Sequence, residues 1–250
     1  MRAFCLCLLI LSWPACSTTF PSAADSLSEG LARLGAVHGD TTNPDVVLVP
    51  DFHETHGSVT GGGPVWTRHR KWQMRALRFL ASKGYRLLGA EYALGPLPLD
   101  GPAATQRRVY DEALSDGVDP DSLNLYIPLR VQWELPDVTV LGVEDPALYN
   151  ADLNTLTEIN KLRALPTPEA PENVALIQQL VAGLLDHRDL RGAAAARNLH
   201  ALMKQHSIPR AVLVMGALHV PAASETLNQL GLRVCLFSSD ALKPLQRALR

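Results

Sequence analysis

Five short apolar runs carry the strongest constraint on this chain. Residues 45–50 (DVVLVP), 86–91 (RLLGAE), 138–143 (VTVLGV), 211–215 (AVLVM) and 233–237 (RVCLF) are too short for stable helices, and the first is rich in β-branched residues. Continuous apolar runs of this length suit strands buried on both faces. Between them lie longer stretches with helical spacing, at 66–83, 103–115, 147–165, 172–187, 190–206 and 222–230. Strand alternating with helix predicts an α/β fold: a mainly parallel sheet with helices on both faces, plus a helical segment between strands three and four. A short helix is expected over 25–37 and another after 237. Residues 116–136, broken by Pro120, Pro128 and Pro136, read as irregular.

Each of the first four runs is followed by polar residues that a core would not select. The first leads into Asp51-Phe52-His53-Glu54-Thr55-His56, the second ends in Glu91-Tyr92, the third leads into Glu144-Asp145 and the fourth into Gly216-Ala217-Leu218-His219. In an open parallel sheet the carboxyl ends of the strands share one edge, where ligands bind. His53, His56, Glu91, Glu144 and His219 are therefore expected to converge. Histidines with one or two carboxylates suit a first-row metal ion, and equally suit general acid–base chemistry. His69, beside Arg68, Arg70 and Lys71, is read as solvated, and His38, His187, His200 and His206 as ordinary helix or surface residues.

Several other chemistries find no motif. His53-Glu54-Thr55-His56 spaces its histidines by three and follows a strand, unlike a helical HExxH zinc site. No GxSxG elbow occurs, Gly61-Gly62-Gly63 is not followed by a phosphate-loop GK[ST], and no CxxCH is present. Lys and Arg total 23 against 25 Asp and Glu, and no basic run marks a nucleic-acid surface.

The start of the chain reads as an export signal. Met1-Arg2-Ala3 precedes the apolar run 4–13 (FCLCLLILSW), too short to span a bilayer. One cut falls after Ala24; the other, before Cys16 in Trp13-Pro14-Ala15-Cys16, resembles a lipoprotein box. Residues 1–24 are thus expected to be signal and tether, and 25–250 a single α/β domain. The protein is placed in the periplasm or at the outer membrane, touching a membrane only through a lipid on Cys16. Cys235 reads as a small buried hydrophobe rather than half of a disulfide.

The segment Ala196-Arg197-Asn198-Leu199-His200, a strand, then Gly216-Ala217-Leu218-His219, a helix, Gly231 and a last strand resembles the C-terminal half of the TraB/Tiki-type proteins. Val49-Pro50-Asp51-Phe52-His53 resembles their first strand with its histidine, and residues 86–91 their second strand ending in Glu. The wider group includes the ChaN-type haem-binding lipoproteins and the erythromycin esterases. The resemblance implies a His/Glu site at the strand ends, with His53, Glu91 and His219 at the core positions and Arg197 and Asn198 on the Arg-Asn helix.

Three functions follow. The first is metal-dependent hydrolysis of peptide or ester bonds. His53, Glu91 and His219 would hold Mn, Co or Zn, His56 or Glu144 would act as base, and Arg197 would steady negative charge. Tyr92 and Asn198 would complete a cofactor or substrate pocket. The second is haem or iron binding without catalysis, with His53, His56, Tyr92 or Tyr126 as axial ligand. The third is a degenerate scaffold. The expected partner is a small-molecule or peptide substrate.

Overall fold

All six residues of Val46–Asp51 are buried, which places this strand, β2, inside a sheet covered on both faces. The computed structural model describes residues 21–51, 64–123 and 125–238. Seven strands form one sheet in the order β1-β7-β2-β6-β3-β5-β4. Here β1 is Ala36–Gly39, β3 Leu87–Ala93, β4 Gly95–Pro96, β5 Thr139–Glu144, β6 Ala211–Gly216 and β7 Val234–Ser238. The inner five strands run parallel. Strands β1 and β4 close the edges antiparallel, and neither has an apolar run that would announce it.

Alternate residues of the same strands build two cores. Val47, Val49, Leu88, Val212 and Val214 pack with helices α1 (Leu27–Leu34), α2 (Pro64–Ser82) and α4 (Ile127–Glu134). Val46, Leu48, Leu87, Leu213 and Met215 pack with α6 (Pro171–Gln205) and α7 (Val220–Gln229). Helix α3 (Pro102–Ser115) lies before α4, and α5 (Pro146–Arg163) before α6. Parallel crossovers are right-handed. The chain steps one way through β2, β3 and β5 with helices on the first face, then returns through β6 and β7 with helices on the second.

Three expectations need correction. The helices expected at 172–187 and 190–206 are one helix of 35 residues; the polar pair Arg188-Asp189 interrupts the apolar period but contains no breaker. The first buried residue of that helix is Gly192; before it, His187 and Arg191 meet Asp152 of α5. The stretch read as irregular contains α4, because Pro128 sits in its first turn, where proline is tolerated. Arg130, fully buried, reaches Asp121 at 2.8 Å and Glu134 at 2.6 Å, and Arg78 adds a second guanidinium on both. This ion cluster ties the segment to α2. The helix expected after 237 lies outside the described residues.

His69 is the third correction: it is fully buried rather than solvated, with its ring stacked 5.8 Å from that of Trp72. Burial lowers its pKa, against the opposing pull of Asp51. A histidine held neutral in the fold must take up a proton on unfolding at acid pH. Its share of stability is complete above 6.5, the ordinary value, and is lost as pH falls from there through the lowered folded pKa. His69→Phe, which keeps the ring, is expected to flatten that part of the stability–pH profile in urea titrations; an unchanged slope would assign the acid loss elsewhere.

Candidate active site

Strand β6 lies between β2 and β3, yet its connection leaves towards the opposite face from theirs. Such a reversal opens a crevice at the carboxyl edge of the sheet. Into it come Asp51 from β2, Glu91 from β3, Glu144 from β5 and His219 from the turn after β6.

The register of β3 on β5 shifts between Ala90 and Ala93, and bulges of this kind re-aim side chains beside sites. Gly142 permits it, since a Cβ there would lie 2.0 Å from the Ala93 carbonyl oxygen. Glu91 Oε2 accepts a hydrogen bond from the Gly216 amide on β6. Glu91 Oε1 accepts from Arg191 at 2.9 Å and faces His219 Nε2 at 3.6 Å. His219 Nδ1 lies 2.8 Å from the Arg188 carbonyl oxygen. A carbonyl only accepts, so Nδ1 donates to it, and Nε2 is the ring nitrogen that faces Glu91.

Arg191 is the hub. Its guanidinium reaches Glu91 and Glu144 with one amino group, adds Nε to Glu144 at 2.8 Å, and reaches Asp152 with the other amino group at 2.9 Å. The side chains of Glu91, Glu144 and Asp152 are 7%, 1% and 5% exposed, and that of Arg191 is 12% exposed. Burial disfavours the guanidinium charge, but Glu144 and Glu91 outweigh it and raise the Arg191 pKa. Asp152 Oδ1 continues the chain to His187 Nδ1 at 2.9 Å.

Asp51 belongs to the same field. It accepts from Arg70 at 2.9 Å and Gln73 at 3.1 Å. The Tyr126 phenol feels Glu91, Asp51 and Glu144 together; burial foremost, then these carboxylates, pushes its pKa well above the ordinary value. Its hydroxyl donates to the Glu91 carbonyl oxygen at 3.2 Å. Among the described residues, the buried carboxylates Asp51, Glu91, Glu144 and Asp152 are met by the guanidinium groups of Arg70 and Arg191, as buried charge requires.

Gly192 sets the distance between α6 and the His219 turn. A Cβ at Gly192 would lie 2.4 Å from the His219 carbonyl oxygen and 3.2 Å from the Ala223 nitrogen. Both are backbone atoms that cannot rotate aside. Gly192→Ala is expected to cost about 1–3 kcal/mol by overpacking and to move the His219 ring off the Arg188 carbonyl. Chemical denaturation and the histidine resonances in NMR check this; a variant as stable as the parent, with an unmoved His219 signal, would refute the spacer role.

The structure brings Glu91, Glu144 and His219 together. His53 and His56 lie outside the described residues. Tyr92 is half-buried, its ring 5.6 Å from that of Tyr149. Asn198 donates to the Val143 carbonyl oxygen at 2.8 Å, tying α6 to β5. Arg197 is exposed and makes no ion pair among the described residues; Arg191, one and two-thirds turns earlier, holds the carboxylates. Sequence reasoning passed over Arg191 and Asp152, and read His187 as an ordinary helix or surface residue. The charged run Asp186-His187-Arg188-Asp189-Leu190-Arg191, after thirteen uncharged residues from 173 to 185, marks where Arg191 lies; Asp152, on another helix, has no such signal. Among the described residues no three His, Cys, Asp or Glu side chains form a metal-binding group, and no helix is long and apolar enough to cross a membrane. No family model, curated protein or solved structure matches this chain.

Proposed function

We propose that the chain is a metal-dependent hydrolase of peptide or ester bonds, related to the TraB/Tiki-type proteins, with its site on His219 and Glu91. One observation carries the reading: Nε2 of His219 and Oε1 of Glu91 stand 3.6 Å apart. That is long for a hydrogen bond. Two ligands each about 2.1 Å from one ion lie about 3.4 Å apart in tetrahedral geometry. The far ring nitrogen of His219 is fixed by a backbone carbonyl, the outer-shell arrangement that orients metal-binding imidazoles. His219 and Glu91 would hold the ion, with His53 as the third ligand. When bound there, a divalent ion polarises a carbonyl and lowers the pKa of a water to roughly 7.

The residues of the chain have separate tasks. Glu91 is oriented by the Gly216 amide and Arg191. Glu144 and Asp152 hold Arg191 in place. Arg191 also offsets the negative charge that grows on a reacting oxygen nearby. Turnover of p-nitrophenyl acetate and of labelled casein, before and after a chelator, tests the reading. Chelation should abolish turnover and added Mn, Co or Zn should restore it. Chelator-resistant turnover, or none on either probe, would overturn it.

The proposal includes export and an anchor at Cys16. Intact mass of the mature protein is expected to show a lipid-modified N-terminus at Cys16, and Cys16→Ser should release the protein from the membrane fraction. An unmodified N-terminus at Asp25 would remove the anchor from the proposal.

A further inference from the structure

We infer that His187, oriented by Asp152, is the general base and acid of this site. The inference rests on the hydrolase reading above and names the proton-transfer group within it.

A base needs a lone pair that reaches solvent or substrate, and a fixed orientation. Glu144 has neither freedom nor access: it is 1% exposed, and its Oε1 takes both Nε and an amino group of Arg191. His187 has what Glu144 lacks. Its Nδ1 lies 2.9 Å from Asp152 Oδ1 and donates to it, which in the neutral ring leaves the lone pair on Nε2. Its side chain is 40% exposed while that of Asp152 is 5% exposed. A buried carboxylate behind a half-exposed imidazole is the orienting pair used by hydrolytic sites on unrelated folds. Asp152 is in turn held by Arg191, whose other bonds go to Glu91 and Glu144. His187 and Arg191 are four residues apart on α6, on one face of the helix. The carbonyl of Arg188, the next residue, anchors His219. One turn of α6 therefore sets the base, the carboxylate clamp and the His219 ring.

In the reaction, His187 Nε2 takes a proton from water as the water oxygen bonds to the substrate carbonyl carbon. The tetrahedral adduct then collapses with cleavage of the bond to the leaving oxygen or nitrogen. The imidazolium returns its proton to that leaving atom, giving a carboxylic acid and an alcohol or amine.

The test uses His187→Gln, which keeps a donor towards Asp152 but is no base, and His187→Ala. On p-nitrophenyl acetate and labelled casein, His187→Gln should lose on the order of 10²-fold in kcat. Its KM, metal content and unfolding midpoint should stay at parental values. Added imidazole should recover part of the His187→Ala turnover, which a merely structural role would not permit. Parental kcat in His187→Gln overturns the inference and leaves the hydrolase reading standing. Loss of metal together with turnover also overturns it, by making His187 part of site assembly. Absence of turnover by the parent protein on both probes removes the hydrolase reading and this inference with it.

Discussion

Arg191→Met is expected to be the most destabilising single substitution at the site, costing about 3–5 kcal/mol. The methionine fills much of the same volume but leaves Glu91, Glu144 and Asp152 with no guanidinium between them in a buried crevice. The deficit should shrink as pH is lowered and the carboxylates of the variant take up protons. Arg191→Lys should fall between the two, since an ammonium keeps the charge but lacks the planar fork that serves three carboxylates. Urea midpoints across a pH series check this. A loss under about 1 kcal/mol would show that the carboxylates tolerate one another, contrary to the argument from buried charge.

His219→Ala is expected to do the reverse. His219 belongs to neither apolar core and its side chain points at Glu91 across the crevice. Removing an outer-shell partner of a metal ligand costs roughly 10–100-fold in affinity or activity, so removing a ligand itself should exceed about 100-fold. Stability should change little, because the losses are one carboxylate contact and one hydrogen bond to the Arg188 carbonyl, and no packed core is opened. Side-by-side denaturation and turnover measurements separate the two effects. An unfolded His219→Ala whose remaining soluble fraction is fully active would refute the division of labour.

The inner strands were legible because each is apolar on both faces, which leaves little choice of structure for DVVLVP or AVLVM. The polar residues at their carboxyl ends were legible for the same reason: Glu91 and Glu144 end the apolar stretches 87–90 and 140–143. The edges were not. Residues 36–39 and 95–96 form strands only because β7 and β5 offer them unpaired backbone, and pairing of that kind leaves little mark in composition.

The site was half legible. Arg197 and Arg191 lie on one helix, six residues apart, and attention to the Arg-Asn pair favours the former. The buried face of α6 runs through Gly192, Ala195, Ala196, Leu199 and Met203. Arg191 lies four residues before Ala195, close to that stripe, whereas Arg197 points away from it. Helical phase along 190–206 therefore distinguishes the two. The Asp152–His187 pair depends on how α5 returns beside α6, a tertiary arrangement with no local sequence mark.

The central claim is that His219 and Glu91 share one metal ion. Elemental analysis of the protein beside His219→Ala and Glu91→Gln, with visible spectra of all three, tests it most directly. The account predicts close to one equivalent of Mn, Co or Zn in the parent, its loss in both variants without loss of fold, and no Soret band. A Soret band, or a metal equivalent that survives both substitutions, would contradict it.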